Sequence, residues 1–473
     1  MTMKLGVREE PAIYKVLASR MATERRSLRS LGRWSGGGTP SKSNPAFWSG
    51  GTIPWVSPKD MKPARISDAE DHITPEAVAQ SATSLIKAGS VLLVVRSGIL
   101  QHSLPVAVTD VDVALNQDLK ALQPSAGVDA TYVAWALRAH AQAILHLCTK
   151  AGTTVQSIEM PALLDYEIPL PSPARQRAIV ETVEARLSVL DASVAALHRV
   201  QANLKRYRAS VLKSACEGRL VPTEAELARQ EGRTFETGVE LLKRLDIERL
   251  DRRSGKGYKE PAIPAFVVPE LPVGWSCASL DQLCDPIVDC PHSTARFEKS
   301  GHPCIDTNWM TKDGLAVERA RFVSYATYVE RVSRLTPIAG DIVFAREGTI
   351  GTAVIIPLGM QPCLGQRVML LRSSPSVLSK YLVLALHSDV VIAQYRDQAL
   401  GSTVPHINVR DVKRFAIPLP PLAEQHRIVA EADRRLSLIR VAEAQVAVNL
   451  GRAKRLRQSI LQAAFGIPDS ARQ

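Results

Sequence analysis

The chain has 473 residues, 45% of them apolar, and a formal net charge of +12. This length predicts two to four domains, and the apolar share is sufficient for each to bury an ordinary core. The apolar stretch at residues 91–95 is far too short to cross a bilayer. The N-terminus carries Arg8, Glu9 and Lys15 without an apolar run, unlike a signal peptide. We therefore expect a soluble, cytoplasmic protein that does not bind membranes.

The positive charge is unevenly distributed along the chain. Residues 166–260 and 416–473 carry +4 each, whereas residues 1–165 carry +3 and residues 261–415 carry +1. An excess of this size suits a polyanionic partner such as nucleic acid. The two segments that we expect to be globular, with net charges of +3 and +1, are nearly neutral, and most of the excess charge lies elsewhere. Composition therefore favours contact with nucleic acid only weakly over contact with a protein partner.

The seven cysteines form no Cys-x-x-Cys pair, which indicates reduced and mostly buried thiols. Cys290 and His292, followed by His302 and Cys304, have the side-chain types that bind zinc. Their spacing is not typical of tetrahedral sites, and the same residues fit loops that are rich in Pro, Ser and Gly. We predict that this protein holds no metal.

An internal repeat is the most informative feature of the chain. The repeated segments are, in pairs, 152–155 with 401–404 and 168–171 with 417–420 at an offset of 249, and the segment from Gly89 to Arg96 with that from Gly340 to Arg346 at an offset of 251. A period this long indicates two copies of one globular domain and not a solenoid. Each copy combines a β-rich run, such as residues 90–95, with an Ala-rich helical segment, so we expect both copies to be mixed α and β.

A long helical pattern follows each copy. Apolar residues alternate by three and four over about five heptads, which predicts a coiled coil. One long helix lying on its own domain is the alternative, but about 40 residues would extend about 60 Å, more than such a domain can cover. The predicted interface residues are Val180, Leu187, Leu190, Val194, Leu197, Leu204, Val211, Val429, Leu436, Ile439, Val446, Leu450 and Ile460.

The predicted fold is α+β: two similar mixed α/β domains separated by a long antiparallel two-helix coiled coil, with a pseudo-twofold internal repeat. The expected divisions are an N-terminal extension (1–25), domain 1 (26–170), helix 1 (171–218), a polar linker (219–264), domain 2 (265–418), helix 2 (419–466) and a tail (467–473). The linker is charge-dense, and residues 252–257 read as flexible.

Motifs of catalysis are weak or absent in the sequence. Asn-Pro-Ala-Phe at 44–47 is similar to the loop with which adenine methyltransferases hold a flipped base, but it differs at the third position. The glycines at 36–38 precede a Thr-Pro loop, not a helix, and therefore do not form a dinucleotide-binding turn. The Ser-Gly-Lys-Gly run at 254–257 lacks the spacing of a phosphate-binding loop. We predict no catalytic residues, and hence a binding device.

Several short motifs, in order and in duplicate, carry a family resemblance. They are residues 37–44, 53–61, 152–155, 271–275, 289–294, 340–346 and 417–425. The chain resembles the specificity subunits of Type I restriction-modification systems over roughly residues 28–466. It departs from that pattern at residues 171–176, where the family has a Pro-Leu-x-Glu-Gln run, and in the extra residues 1–25.

The resemblance implies that each copy is a target-recognition domain that reads one half of a split site in double-stranded DNA. The helices would set the distance between the halves, near one turn of DNA (~34 Å) or a small multiple, and dock two methyltransferase subunits. Restriction/translocase subunits would join this core. Catalysis with S-adenosylmethionine, ATP and Mg²⁺ would belong to these partners, and this chain would bind no cofactor.

Polar side chains in the loops are the candidates for contacts to DNA, because Arg, Lys, Asn, Ser and Thr read base edges or bind phosphates. They are Lys42, Asn44, Lys59, Lys62, Arg96, Ser97 and His102 in copy one, and His292, Ser293, Thr294, Arg296, Asn308, Arg346 and Thr349 in copy two. Lys42 and His292 lack counterparts and are the better candidates for base reading. Arg96 and Arg346, which end buried strands, fit a structural ion pair equally well.

Two other functions stay open at this point. The chain could be a catalytic DNA methyltransferase or nuclease, in which case the purified chain alone would modify or cut DNA. It could also be a coiled-coil scaffold without a DNA role, which would show no sequence preference at any salt concentration.

Overall fold

The structure is a computed structural model, and it describes residues 24–150, 155–252, 259–268, 270–291, 293–396 and 406–466. The chain divides into two compact units. Unit 1 comprises Met1–His198 with Ala447–Gln473, and unit 2 comprises Arg199–Val446. The globular part of unit 1 is called lobe 1 (residues 24–169) and that of unit 2 lobe 2 (residues 276–419). Each unit also contains part of both long helices.

Lobe 1 is a mixed α/β domain with two principal sheets. Its strands are β1 Arg25–Ser27, β2 Gly32–Gly36, β3 Ile53–Val56, β4 Arg65–Ile66, β5 Asp71–Ile73, β6 Leu85–Ile86, β7 Val91–Val94, β8 Val106–Thr109, β9 Val113–Leu115, β10 Leu119–Pro124 and β11 Glu167–Pro169. Its helices are α1 Pro75–Gln80, α2 Ala130–Ala139, α3 Ala141–Cys148 and α4 Met160–Asp165. The sheets have the orders β2-β10-β7-β8-β4 and β5-β3-β9-β6, and β1 pairs with β11.

The main core of lobe 1 lies between the first of these sheets and α2. Every residue of β7 is buried, as expected for a Val/Leu run covered on both faces. Tyr132 and Leu137 of α2 belong to the same core. A smaller core of Phe47, Trp55 and Ile73 supports the second sheet. The second sheet therefore contributes to two cores, because Val56 and Leu115 of its strands belong to the main core.

Lobe 2 is built from a similar set of elements. Its strands are β12 Ser276–Ser279, β13 Cys284–Asp289, β14 Phe297–Glu298, β15 His302–Ile305, β16 Met310–Thr311, β17 Gly314–Leu315, β18 Phe322–Val323, β19 Ile342–Ala345, β20 Ala353–Ile355, β21 Cys363–Leu364, β22 Val368–Ser373 and β23 Ala416–Leu419. Its helices are α8 Leu280–Leu283, α9 Tyr325–Arg331, α10 Ser379–Leu386, α11 Asp389–Ile392 and α12 Val409–Lys413. The sheet orders are β13-β22-β19-β20, β14-β18-β15-β21, β16-β17 and β12-β23.

The two lobes share the framework of their main sheets, which confirms the predicted repeat of a mixed α/β domain. The order β2-β10-β7-β8 in lobe 1 matches β13-β22-β19-β20 in lobe 2. The buried Tyr132 donates a hydrogen bond from its hydroxyl to the Pro169 carbonyl at 2.8 Å, and Tyr381 does the same to Pro418 at 2.7 Å. These pairs are 249 residues apart, so the repeated sequence encodes the same tether in each lobe.

The long helices α5 (Pro173–Cys216) and α13 (Leu422–Phe465) have 44 residues each and also lie 249 apart. Proline precedes or opens both, which suits a helix start. Gly466, with a φ of 58°, follows the end of α13, as is typical of a glycine beyond a helix C-terminus. The buried Gln176 and Gln425 fasten each helix start to its lobe by accepting hydrogen bonds from the backbone N–H groups of Asp129 and Leu378.

Within each unit, the start of one long helix packs with the end of the other. In unit 1, Leu187 of α5 shares a core with Ile460 and Phe465 of α13. In unit 2, Val211 of α5 shares a core with Ile428 of α13. Start-to-end packing in both units means that the segments run antiparallel, as predicted.

The predicted helix-interface residues, from Val180 to Ile460, are all buried or half-buried. The apolar Val189, Leu438 and Val441, which were not predicted to lie there, are 70%, 59% and 67% exposed. The period of three and four thus separates covered from uncovered apolar residues on both helices. Which partner helices they contact in a complex stays a prediction.

The segment between the copies is more ordered than its composition indicates. Residues predicted as a linker contain α6 (Glu224–Glu231) and α7 (Gly238–Arg252). Leu241 and Leu245 of α7 are buried in the main core of lobe 2. Two leucines at this spacing are enough to hold a charged helix on a core. Because the other residues of α7 are mostly polar, the composition of the segment suggested a linker. The predicted flexible run at 252–257 lies outside the described residues, except for Arg252 at the end of α7.

Among the described helices, none is long and apolar enough to span a membrane.

Candidate nucleic-acid interface

The loop after β2 in lobe 1 carries the candidates Lys42 and Asn44. Lys42 is exposed. Asn44 instead caps a short 3₁₀ helix (Pro45–Phe47), because its side-chain oxygen accepts a hydrogen bond from the Ala46 N–H at 3.1 Å. Trp48 packs edge-to-face on Trp55, with ring centroids 5.3 Å apart, and holds the loop against the smaller core. Lys42 is therefore an available cation on a supported loop, whereas Asn44 already has a structural role.

Lys59 and Lys62 lie on the next loop but differ in their environment. The Lys59 ammonium group is 3.0 Å from Asp71 and 3.1 Å from Glu70. The hydrogen bond to Asp71 is the main reason that the Lys59 pKa is raised. Lys62 is exposed and lines a cavity of about 640 Å³. Binding of a phosphate by Lys59 would compete with two carboxylates, so Lys62 is the more available of the two.

Ser97 and His102 flank a short 3₁₀ helix (Gly98–Gln101). The Ser97 hydroxyl accepts a hydrogen bond from the Ile99 N–H at 3.4 Å, which explains this serine as a cap. His102 is exposed. Arg96, directly before Ser97, is also exposed, and its guanidinium group has no hydrogen bond or ion pair within the described part of the chain. Lobe 1 therefore presents the exposed Arg96 and His102 on the same short segment, in which Ser97 has a structural role.

Arg96 and Arg346, which end the two matched segments, are not structural counterparts, because the offset of 251 that relates Gly89 to Gly340 places Glu347 at the position of Arg96. Ile158 donates its N–H to the Val95 carbonyl, and Ile407, which is 249 residues later, donates to the Arg346 carbonyl. An isolated β-bridge joins Arg96 to Ser157, and its equivalent joins Glu347 to His406. The structural counterparts are therefore Val95 with Arg346 and Arg96 with Glu347. The structure follows the offset of 251, and the two arginines are one position out of register with each other.

Arg346 lies in an ion pair that lobe 1 does not have. Its guanidinium group is 3.0 and 3.2 Å from the two carboxylate oxygens of Asp289, and the residue is 7% exposed. Asp289 pairs with Met369 in the sheet, and Gly36 pairs with Lys120 at the equivalent position of lobe 1. Lobe 1 thus has Gly36 and Val95 where lobe 2 has a buried acid and base. This geometry favours the structural role for Arg346.

We expect Arg346→Leu to lower the free energy of unfolding of lobe 2 by about 3 kcal/mol or more, because the partly buried Asp289 carboxylate would lose its cation. The exposed Arg96→Leu is the matched control and should change stability by less than about 0.5 kcal/mol. Urea unfolding of both variants measures the difference. A second change, Asp289→Ala, should recover part of the loss in Arg346→Leu. Equal stability of the two single variants would contradict the assignment.

The remaining candidates of lobe 2 lie on three loops: between β13 and β14, between β15 and β16, and, for Thr349, between β19 and β20 of the main sheet. Thr294, Arg296 and Thr349 are exposed. The exposed Ser293 accepts hydrogen bonds from Arg331, through its carbonyl at 3.2 Å and its hydroxyl at 3.5 Å. Asn308 is exposed and turns its amide toward Asp306 at 3.4 Å. His292 lies outside the described residues. Arg296 and Thr294 are thus the most accessible of these side chains.

Sequence reasoning missed an aromatic cluster on the second sheet of lobe 2 (β14-β18-β15-β21). His302 stacks on Tyr328 with ring centroids 4.1 Å apart, and Tyr325, which is 69% exposed, lies 5.7 Å from His302. Nearby in the sheet, the Arg321 guanidinium group lies 3.3 Å from the centroid of the Phe297 ring. The spacing of Tyr325 and Tyr328 on one helix face, after the N-cap Ser324, was the available signal. Exposed rings of this kind can stack on nucleotides or on partner side chains.

The four residues considered as zinc ligands are dispersed. Cys290 belongs to one buried cluster and Cys304 to another, where it packs with Cys363. His302 is in the aromatic stack, and His292 is not among the residues that can be described. Elsewhere in the described ranges no group of three His, Cys, Asp or Glu side chains could hold a metal ion.

The buried thiols of Cys148 and Cys216 are poor nucleophiles. Burial raises the pKa of Cys148 to about 11 and that of Cys216 to about 12, so both remain protonated near neutral pH. Burial also lowers the pKa of His387 to about 4. This neutral imidazole accepts a hydrogen bond from the Ala353 N–H at 3.0 Å. All three groups therefore act as packing residues at neutral pH.

Comparison with known proteins gives consistent results. The family described as "Type I restriction modification DNA specificity domain" matches residues 23–205 and 272–434. The chain is similar to the Type I restriction enzyme EcoR124I/EcoR124II specificity subunit of Escherichia coli, with 42% identity over 34% of this chain and 40% of that protein. It is also 24% identical to the EcoDI specificity subunit of Escherichia coli over 71% of this chain and 69% of that one.

A solved structure described as the structural basis of complex assembly and conformational transition of the type I R-M system has a similar fold. Its TM-score is 0.61 at 19% sequence identity, and the similarity covers 94% of this chain and 97% of that chain. The first-named relative is matched over less than half of its length, but the family match takes in both lobes, most of α5 and the start of α13. Because the family model matches both copies of the mixed α/β lobe, the chain belongs to the family of the Type I restriction-modification DNA specificity domain.

Proposed function

We propose that this chain is the non-catalytic specificity subunit of a Type I restriction-modification complex. Each lobe reads one half of a bipartite site in double-stranded DNA. The long helices set the spacing of the half-sites and dock two methyltransferase subunits, and restriction/translocase subunits complete the assembly. Methyl transfer from S-adenosylmethionine and ATP-driven cleavage with Mg²⁺ take place in those partners, in the cytoplasm.

One observation carries the proposal: the same framework supports different polar residues in the two lobes. Arg96 is replaced by Glu347 in lobe 2, and Asp118 by Arg367, so the sign of charge is reversed at both positions. Arg96 follows the end of β7 and Asp118 directly precedes β10. Glu347 and Arg367 have the same places beside β19 and β22 in lobe 2. A scaffold that repeats while its surface chemistry differs suits two readers of different sequences. A symmetric scaffold without a DNA role would have no need of this difference.

The relatives' names support the non-catalytic assignment, since the matched proteins are themselves named specificity subunits. The apolar residues of the long helices that stay exposed support the docking role. An amphipathic pair of helices with uncovered residues such as Val189 and Val441 has apolar surface left for partner helices.

The test combines the chain with purified methyltransferase subunits of the same operon and a library of duplex DNA. The complex should select one bipartite sequence, and the preference should persist as salt rises, whereas non-specific binding fades. The chain alone should neither methylate nor cut. A complex without any sequence preference would contradict the proposal in favour of a scaffold, and methylation by the chain alone would contradict it in favour of an enzyme.

A further inference from the structure

Arg367 of lobe 2 has an unusual backbone conformation. It lies in the short connection between β21 and β22, and its φ is 69°. Among the non-glycine residues that the structure describes, only one other, Glu270, has a positive φ. A residue with a Cβ atom is strained in this region, where glycine is the usual choice. An arginine at this position therefore costs folding free energy that a glycine would not.

The Arg367 side chain makes few contacts that could offset this strain. Its surface is 57% exposed, and within the described ranges its guanidinium group donates no hydrogen bond to another residue. The folding of lobe 2 therefore gains little from the arginine. Strained residues of this kind are concentrated at binding sites, so the conformation directs attention to what the exposed guanidinium group binds.

One acidic residue lies beside the Arg367 guanidinium group. The Nε atom is 3.8 Å from one carboxylate oxygen of Glu347, whose other oxygen lies 3.4 Å from Arg346. Arg346 in turn is held by Asp289 in the buried ion pair. Arg367 is thus at the exposed end of a row of four alternating charges. Such a row orients its last member, because each charge is placed by the one before it.

The surface around Arg367 is formed by three loops that backbone hydrogen bonds bring together. The Gly365 N–H donates to the Ile305 carbonyl at 2.7 Å, and the Arg346 N–H donates to the Arg367 carbonyl at 3.0 Å. These loops also carry two side chains considered above for DNA contact, Asn308 and Thr349. Arg367 therefore lies among the candidate DNA contacts of lobe 2.

Lobe 1 has the same connection with different chemistry. Asp118 occupies the place of Arg367, and its carbonyl accepts a hydrogen bond from the Val95 N–H at 2.8 Å. Asp118 has no positive φ, and its own N–H donates to the side-chain oxygen of Asn116 at 3.0 Å. The two strands can therefore be connected without strain, and the strained conformation belongs to lobe 2.

Two groups on DNA accept hydrogen bonds from arginine, namely a phosphate and the major-groove edge of guanine. The Glu347 carboxylate, 3.8 Å from the guanidinium group, would repel a charged phosphate. A guanine edge is neutral and offers the O6 and N7 acceptors, which an oriented arginine binds with two hydrogen bonds. A contact to phosphate also requires no strained backbone. The surroundings of Arg367 therefore favour the base over the phosphate.

We infer that Arg367 reads a guanine in the half-site of lobe 2, and that Glu347 is a positioning residue for its guanidinium group. The inference rests on the proposed function, which supplies the DNA half-site. The Asp118 carboxylate of lobe 1 accepts hydrogen bonds and donates none, so it cannot make the same contact. The two lobes then read different bases at this position of the repeat.

Selection of duplex DNA by the assembled complex tests the role of Arg367. The full chain and the methyltransferase subunits are mixed with a library of duplexes, and the bound sequences are compared between variants. Arg367→Gln should reduce the preference for guanine at one position of one half-site by about fivefold or more. Preferences at the other positions should stay within about twofold. If Arg367→Gln weakens binding to all sequences equally, the contact is to phosphate and the inference is overturned.

Arg319→Gln is the matched control in the same lobe. The Arg319 side chain is 63% exposed, and its Nε atom also lies 3.8 Å from a carboxylate, that of Glu318. Its backbone, however, belongs to a short 3₁₀ helix and has no positive φ. Arg319→Gln should leave every base preference within about twofold of the unchanged chain. Equal effects of the two arginine variants would count against a special role for Arg367.

Glu347→Gln tests the positioning role. Without the carboxylate, the guanidinium group is less well oriented toward the base and is no longer shielded from phosphates. The same guanine preference should fall, and the plot of log affinity against log salt concentration should become steeper by about 0.9, as expected for one added phosphate contact. A loss of folding alone would not increase this slope. If both quantities stay unchanged, Glu347 does not position Arg367.

Arg367→Gly separates function from folding. It should raise the urea concentration at the midpoint of unfolding, because glycine relieves the strain at positive φ, and it should also remove the guanine preference. Arg319→Gly should lower the midpoint, because the arginine there has an ordinary helical backbone. A lower midpoint for Arg367→Gly would show that the arginine serves the fold, and the inference would be wrong.

The unchanged chain distinguishes the two levels of the argument. If its complex with the methyltransferase subunits selects no sequence, the proposed function fails and the inference fails with it. If it selects a bipartite sequence and Arg367→Gln selects the same sequence with equal preference, only the inference fails.

Discussion

Exchange of lobe 2 for the equivalent lobe of another family member is expected to change one half of the methylated DNA sequence and leave the other half unaltered. The physical reason is that most residues of the lobe 2 cores, such as Phe344, Leu371 and Trp309, lie within the exchanged segment, although α7 adds Leu241 and Leu245 from outside it. The exchange should join at residues 280 and 415, because β12 and β23 then stay paired with each other beside the start of α13. Methylation mapping across the genome of a host that expresses the hybrid measures the outcome.

The reciprocal exchange of residues 28–166 is the matched control. It leaves β1 and β11 paired and should alter only the other half-site. Together the two hybrids should recombine the two halves while the spacing between them stays constant, because both hybrids keep α5 and α13. A hybrid in which both halves change at once would contradict independent reading by the two lobes.

Leu187→Glu is expected to have the largest effect on stability. Leu187 is 3% exposed and lies in the core that joins α5, α13 and lobe 1. A carboxylate there would lose its hydration without gaining a cation, and the leucine's packing would be lost as well. We expect the free energy of unfolding to fall by about 4 kcal/mol or more, with loss of methyltransferase binding as a consequence.

Val189→Glu provides the comparison on the same helix, two residues away. Val189 is 70% exposed, so the same change should alter stability by less than about 0.5 kcal/mol. Urea unfolding followed by circular dichroism distinguishes the two variants. Equal stability of Leu187→Glu and Val189→Glu would mean that the helix period does not define a buried face, and the antiparallel pairing would then be wrong.

The repeat made much of the architecture predictable. An offset of 249 residues relates Tyr132 to Tyr381, Gln176 to Gln425 and α5 to α13, and each pair has the same structural role. The period of the apolar residues identified the covered face of the long helices, because burial on a helix depends on spacing that is local in sequence. Two leucines of α7 were missed, because a mostly polar helix was interpreted from its composition.

The candidate site was less predictable. Arg96 and Arg346 looked equivalent in sequence, yet one is exposed and the other is buried against Asp289, 57 residues away in the chain. Asn44 and Ser97 looked like DNA contacts, and both cap short helices. Local pattern does not reveal the partner of Arg346, because Asp289 comes from a distant strand. The partners of Asn44 and Ser97 lie only two residues away, so these two caps could have been predicted from local sequence.

By itself, the sequence determined that one domain occurs twice, that each copy is followed by an equal long helix, and which face of those helices is covered. These properties follow from periodicity and repetition along the chain. Only the tertiary structure decided which cations remain available, and that Gly36 and Val95 of lobe 1 take the place of the ion pair of Asp289 and Arg346 in lobe 2. Availability and charge depend on side chains brought together from far apart in the chain, and no local spacing encodes them.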